Sequence, residues 1–226
     1  MLYLHETFNL LPGRTTAFTE EFAGQYLPLM SSLDARLVDL WETASMSLPW
    51  PAAIALWEVD DAEHAQRILR QTHDKSGSQR GAFRQWHDSL ESVCTSGRGR
   101  ILNPGAGVPT VADLRSHRVV TTVCVHETIT TLPDKQGEYV RNIENLWMPS
   151  AHRLGRIWVG TYQTQWRNDE AISIWALEDP WTPFPGGTAE VEVLKSPDVQ
   201  EWLRLAGSFR AGFDDGIIVA LPLQSS

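Results

Sequence analysis

Two short segments carry the residue types best suited to acid–base chemistry. His5-Glu6-Thr7 near the start of the chain returns as His126-Glu127-Thr128. Imidazole exchanges protons near neutral pH, so two such rings in an apolar cavity could act as general base and general acid. Neighbouring residues on a strand point to opposite sides, so each histidine competes with its glutamate for the cavity. We expect the histidines to point inward and the glutamates toward the helices, and the reverse assignment stays open.

These segments belong to a repeat that runs through most of the chain. The matched positions keep their order and a nearly constant spacing, as in Leu11-Pro12 with Leu132-Pro133, Trp41 with Tyr162, and Ile54-Ala55-Leu56-Trp57 with Ile172-Ser173-Ile174-Trp175. Such self-similarity indicates two fused copies of one structural unit. We predict a first unit over residues 1–103, a linker over 104–118 and a second unit over 119–226.

Hydrophobic periodicity gives each copy the order β-α-β-β-α-β. The predicted strands are 2–10, 35–43, 52–59 and 100–102, then 119–130, 156–164, 170–177 and 216–222. The predicted helices are 14–33, which Pro28 should bend or break, 60–90 with a polar interruption at 73–81, 135–154 and 196–210. The loop Pro180–Gly187 has the composition of a lid or rim. Because helices cover only one face of such a sheet, the two bare faces can cover each other. The sequence therefore predicts an α+β fold, with two tandem ferredoxin-like units packed sheet to sheet as an intramolecular α/β barrel.

Strand alternation selects the residues expected to line the cavity between the sheets. They are Tyr3, His5, Thr7, Asp39, Trp41, Trp57, His126, Thr128, Trp158, Tyr162 and Trp175. We expect His126 to act as base, His5 and Tyr162 as acid or oxyanion donor, and Asp39 to orient a histidine. The aromatic residues and threonines would bind a hydrophobic small molecule. The alternatives are that the tryptophans only fill space and that the histidines are structural.

Composition excludes several classes of function. The chain of 226 residues has a formal net charge of −9 and no run of Lys or Arg, which argues against nucleic acid and anionic membranes. No long apolar segment or secretory signal is visible, and Cys94 and Cys124 lack metal-ligand spacing, so we expect a cytoplasmic protein with reduced thiols. There is no His-Glu-x-x-His motif, no Gly-rich phosphate loop and no Gly-x-Ser-x-Gly elbow. We therefore predict no metal and no nucleotide cofactor.

Several motifs resemble the NIPSNAP-like members of the dimeric α/β-barrel superfamily. They are Tyr3–Gly13, Tyr26-Leu27-Pro28, Leu37–Thr43 and Leu56-Trp57-Glu58. The second copy departs from them, with Pro133-Asp134 at the turn and Ala176 in place of Glu58, so its site need not match the first. The resemblance implies the barrel fold. It also implies a range of activities, among them cofactor-free monooxygenases, cyclases, lyases and haem enzymes.

Together these features favour a cofactor-independent enzyme that acts on a hydrophobic small molecule by His-mediated proton transfer, of cyclase, lyase or isomerase type. The alternatives are a cofactor-free monooxygenase of an aromatic substrate, and a non-catalytic small-molecule-binding or assembly protein. Haem is a further alternative, with a ligand drawn from His64, His73, His87 or His152. A homodimer of the fused chain also stays open.

Overall fold

The structure is a computed structural model that describes residues 1–44, 48–73, 80–116, 122–178 and 188–223. The chain divides into two compact units, the first comprising Met1–Ile101 with Val219–Ser226 and the second Leu102–Ile218. The boundaries predicted from the sequence, 1–103, 104–118 and 119–226, stay a prediction. The polar residues 74–79 and the Pro180–Gly187 loop lie outside the described residues.

The first unit follows the predicted β-α-β-β-α-β order. Its strands are β1 (Leu2–Leu10), β2 (Arg36–Thr43), β3 (Ala52–Val59) and the larger part of β4 (Cys94–Pro104). Its helices are α1 (Thr15–Glu21), α2 (Leu27–Ser32), α3 (Ala62–His73) and α4 (Arg80–Leu90), and a π-helical turn (Phe22–Tyr26) joins α1 to α2. The strands are arranged β4-β1-β3-β2, the order expected of a ferredoxin-like unit.

The second unit repeats this order after a short helix, α5 (Val111–Ser116), within the predicted linker. Its strands are β5 (Val123–Thr131), β6 (Arg156–Thr164), β7 (Glu170–Leu177) and the larger part of β8 (Arg210–Ala220). Its helices are α6 (Gln136–Asn142), α7 (Met148–Arg153), α8 (Thr188–Leu194) and α9 (Pro197–Ala206), with a π-helical turn (Ile143–Trp147) between α6 and α7. The strands are arranged β8-β5-β7-β6.

The same backbone irregularities occur at matching positions in both copies and support the alignment of the two sequences. Each copy has a π-helical turn followed at once by a proline in the first turn of the next helix. Proline is tolerated there because that N–H lacks an intrahelical acceptor in any case. The helical path therefore continues through Pro28 and is not broken there. The other predicted outcome, a bend, stays a prediction. Each copy also has a register shift in its second strand, between Leu37 and Asp39 and between Trp158 and Gly160.

A backbone hydrogen bond that is present in both copies extends this alignment to the last strands. Leu11 N donates to Val93 O at 2.8 Å, and Leu132 N donates to Phe209 O at 3.0 Å. Val93 and Phe209 are therefore equivalent, which makes Cys94 the counterpart of Arg210. β4 is much longer than the predicted strand 100–102, because its outer half is polar and exposed and lacks the alternation on which the prediction depended.

The core of the first unit lies between its sheet and its helices. Alternate residues of β1, from Leu2 to Leu10, pack there with the aromatic residues of α1, the π-helical turn and α4. Phe8 lies 5.1 Å from Phe18, and Tyr26 stacks on Trp86 at 4.7 Å between ring centroids. Burial of this apolar surface is the main stabilisation of the unit.

Among the described helices, none is long and apolar enough to cross a membrane.

Candidate functional site

The two histidines singled out by the sequence lie on the face of each sheet that is turned away from that unit's helices. His5 pairs with Leu56 and His126 with Ile174, and both imidazoles are buried. They belong to different units. The glutamates beside them consequently face the helices.

The other predicted site residues divide between the two faces. In the first unit, Tyr3, Thr7, Asp39 and Trp41 share the face of His5, and Tyr3 donates a hydrogen bond to Glu58 at 3.3 Å. In the second unit, Thr128 and Tyr162 share the face of His126. Tyr162 folds back over Gly160, where an added Cβ would lie 2.2 Å from the phenol oxygen.

The predicted orientation of three tryptophans was wrong. Trp57, Trp158 and Trp175 point toward the helices, whereas the isoleucines of β3 and β7, with Leu56, point the other way. The physical reason is volume. Trp57 fills the space above the sheet and stacks on Phe22 at 5.7 Å, whereas the small Ala53 and Ala55 beside it leave room for the other rings of the helices. These tryptophans therefore lie with the glutamates and apart from the histidines.

In the first unit, the carboxylate of Glu6 is held by two donors. Tyr26 donates its hydroxyl to Oε1 at 2.8 Å, and Trp57 donates its indole N–H to Oε2 at 2.9 Å. Burial raises the pKa of Glu6, although both hydrogen bonds act to lower it. Burial, together with the nearby Glu6, raises the pKa of Tyr26 well above its ordinary value, so the phenol stays a donor. Both oxygens of Glu6 are thus engaged inside the protein.

In the second unit, the carboxylate of Glu127 has only one such donor. Trp175 donates its indole N–H to Oε2 at 3.0 Å. Trp147 stands where the first unit has Tyr26, so no phenol is present to donate to Oε1, and that oxygen is bonded to no described residue. Glu6 and Glu127 are both half-buried, so what distinguishes Glu127 is that its Oε1 has no donor among the described residues.

Burial raises the pKa of Glu127, and the negative charge of Asp215 raises it further. The hydrogen bond from Trp175 and the positive charges of Arg156 and Arg210 act in the opposite direction. A carboxyl whose pKa lies above its ordinary value is a stronger base when ionised, and such perturbation is common where proteins carry out proton transfer.

A row of polar side chains lies on the same helix-facing side as Glu127. Trp158 donates its indole N–H to Thr161 Oγ1 at 3.0 Å, Thr161 and Ser173 share a hydrogen bond at 3.1 Å, and Ser173 and Tyr139 share one at 3.4 Å. All four are buried. The equivalent positions of the first unit hold Leu37, Leu40, Ala55 and Phe18, which form no such row.

We call Glu127, Trp175, Trp158, Thr161 and Ser173 the Glu127 site. It combines a carboxylate, two hydroxyl groups and two indole rings, which are the residue types usual in a site for a small organic molecule. Sequence reasoning missed Glu127 because it assigned the catalytic role to the adjacent histidine. The missed signal was the comparison of the copies, since a hydroxyl replaces an apolar residue at each of three core positions.

The structure describes the surroundings of one of the proposed haem ligands and the grouping of possible metal ligands. No three His, Cys, Asp or Glu side chains within them form a metal-binding group. His64, one of the proposed haem ligands, has both ring nitrogens engaged, one by Asp60 N at 3.1 Å and the other by Leu33 O at 2.7 Å. This ring serves to tie α3 to the end of α2.

Comparisons with known proteins place the fold. No protein-family model matches the chain, and the search of curated proteins finds no match. A monooxygenase-like protein from Fusobacterium nucleatum aligns at 8% identity over 98% of this chain and 92% of that chain, with a TM-score of 0.61. An anthrone oxidase-like protein aligns at 8% identity over 98% and 91%, with a TM-score of 0.62. A NIPSNAP domain protein from Burkholderia xenovorans aligns at 21% identity over 49% and 100%, with a TM-score of 0.40.

Identities this low establish the fold alone. The predicted α+β class and the ferredoxin-like units are confirmed at that level. Activity has to be argued from the site.

Proposed function

We propose that the protein is a cofactor-free enzyme that oxygenates an electron-rich aromatic molecule at the Glu127 site. One observation carries the proposal. Glu127 keeps an open carboxylate oxygen beside a row of hydroxyl groups, whereas its copy Glu6 is held by two donors in an apolar core. The second unit has thus gained polar groups in its interior that do not serve its packing.

The chemistry starts with proton transfer. The carboxylate of Glu127 takes a proton from an activated CH₂ group flanked by aromatic rings and conjugated with a carbonyl. The resulting carbanion spreads its charge onto the carbonyl oxygen, where a hydroxyl of the Glu127 site donates a hydrogen bond. Because this anion is electron-rich, it passes one electron to O₂, and the radical pair combines to form a carbon–oxygen bond.

The second half of the reaction consumes the intermediate hydroperoxide. The peroxide anion first takes the proton held by Glu127 and becomes this hydroperoxide. Glu127 then removes the second C–H proton as the O–O bond breaks, and the departing hydroxide takes that proton from Glu127 and leaves as water. The CH₂ group becomes C=O, and O₂ supplies one oxygen atom to the product and one to water. No cofactor is required, because the substrate itself supplies the electrons. The structural likeness to a monooxygenase-like and an anthrone oxidase-like protein supports this class of reaction.

The test is oxygen uptake with anthrone, whose CH₂ group meets these requirements. We expect anthraquinone to form with one O₂ consumed per product molecule. Glu127→Gln should lower the rate by about 100-fold or more, because the base is lost. Glu6→Gln is the matched control and should retain the rate of the original protein. Absence of uptake, or equal rates in the two variants, contradicts the proposal.

A second candidate keeps His126 as the base, as the sequence suggested. The observation in its favour is that His126, Tyr162 and Thr128 share one face of the sheet. In that case His126→Ala should abolish turnover and Glu127→Gln should leave it intact. The same assay therefore separates the two candidate bases.

A further inference from the structure

Two arginines of the second unit flank the Glu127 site and form no ion pair with any carboxylate of the described residues. Arg156 begins β6 and points to the same side as Trp158, two residues further on. Arg210 begins β8, the strand next to β5, which carries Glu127. Throughout the described ranges, no Asp or Glu lies within ion-pairing distance of either guanidinium, Asp215 included.

Arg156 is the more unusual of the two. Its Nε atom is buried and has no hydrogen-bond partner in the described part of the chain. A buried guanidinium N–H without an acceptor is costly, since most such groups find a partner. The free-energy cost of the unpaired N–H is offset when a bound ligand supplies the hydrogen-bond acceptor.

Arg210 is held by aromatic rings. Its guanidinium carbon lies 4.6 Å from the ring centroid of Phe213 and 5.9 Å from that of Trp202. Such contacts fix the position of the charge without neutralising it. Both arginines act on Glu127 electrostatically, so their charge reaches the site.

The copies differ at both positions. Ala35 is the counterpart of Arg156, because each follows a turn residue with positive φ, Asp34 and Gly155. Cys94 is the counterpart of Arg210, and burial raises the pKa of its thiol to about 11, which keeps it neutral. The first unit therefore lacks both charges, as it lacks the hydroxyl row.

We propose that the substrate of the Glu127 site is an aromatic carboxylate, bound directly by Arg156 and attracted by the field of Arg210. This rests on the proposed function and narrows its substrate class. The planar guanidinium matches a carboxylate and supplies two parallel N–H donors. Asp215 opposes the attraction with a single negative charge, against the two positive charges of Arg156 and Arg210.

Calorimetric titration with 2-naphthoate and with its neutral methyl ester tests the proposal. We expect naphthoate to bind at least about tenfold more tightly than the ester, as a charge-assisted pair would require. Arg156→Gln should remove that preference at any salt concentration, and Arg156→Lys should restore part of it. Arg210→Gln should weaken naphthoate about threefold at low salt and little at high salt, because the effect is a screened field.

The controls separate a lost site from a lost fold. Arg204→Gln removes an exposed arginine that pairs with Glu201 and should change neither affinity. Binding of the ester should survive in every arginine variant. Equal affinities for naphthoate and ester in the original protein overturn the inference. If naphthoate and ester bind equally but Glu127→Gln loses turnover, the proposed function stands and only the substrate class is wrong. If binding depends on Arg156 but Glu127→Gln keeps full turnover, only the proposed function is wrong.

Discussion

At the scale of single residues, the difference in hydrogen bonding between Glu6 and Glu127 is the reason for proposing Glu127 as the base. Glu6 and Glu127 occupy equivalent positions, and both have pKa values raised by burial. Glu6 is fully engaged by Tyr26 and Trp57, so its carboxylate is a structural acceptor. Glu127 keeps one oxygen open because Trp147 replaces the tyrosine. A single difference in the π-helical turn, Tyr26 against Trp147, thus separates a carboxylate engaged in the core from the one that we propose as the base.

The hydrogen bond from Trp175 sets the pH at which that base ionises. It favours the carboxylate and so lowers a pKa that burial has raised above 4.5. Activity needs the ionised form and should therefore rise with pH through the pKa of Glu127. Trp175→Phe removes the stabilising donor, so the rising limb of the kcat/KM profile should move to higher pH by about one unit. Trp57→Phe is the matched control, and a shift of equal size in it would contradict the assignment.

At the scale of elements, register and bulges place the site. The register shift in β6 turns Trp158 and Thr161 to the same side although three residues separate them, which brings the indole N–H to the hydroxyl. The same shift in β2 turns Leu37 and Leu40 to the helices of the first unit. A bulge inherited by both copies thus supports packing in one and a polar row in the other.

Substitution of Gly160 tests whether Tyr162 packs closely against the backbone at this bulge. Its added Cβ would meet the Tyr162 hydroxyl at 2.2 Å, so Gly160→Ala should cost about 1–3 kcal/mol in the free energy of unfolding. Gly24→Ala is the control, because nothing lies within 4 Å of its added Cβ and it sits in a helical turn. Urea denaturation should find the control unchanged or slightly more stable. Equal stability of both variants would contradict the close contact.

The order of the strands and helices could be predicted from the sequence, because the hydrophobic periodicity and the internal repeat both indicate it. Strands β3, β6 and β7 match their predicted ranges, 52–59, 156–164 and 170–177. The orientation of β3 and β7 could not be predicted, since every residue of both strands is buried and alternation gives no signal. The tryptophans were consequently assigned to the wrong side. The place of Glu127 beside Trp175 could not be predicted for the same reason, and the role of His126 as base stays a prediction.

At the scale of the whole molecule, the two copies of the unit share one fold but have different side chains in their interiors. The first unit fills its core with stacked aromatic rings and keeps its carboxylate engaged. The second unit has hydroxyl groups where the first has apolar side chains, and within the described ranges its half-buried Arg156 and Arg210 form no ion pair. Buried polar groups of this kind rarely improve stability, so their concentration in one copy favours a function there.

A crystal structure of the protein soaked with 2-naphthoate tests this central claim most directly. The account predicts ligand density on the helix-facing side of the second sheet, with the rings against Trp158 and Trp175 and the carboxylate at Arg156. The equivalent region of the first unit, around Glu6, should stay free of ligand. Density against His126 and Tyr162 on the opposite face, or in both units alike, would contradict the account.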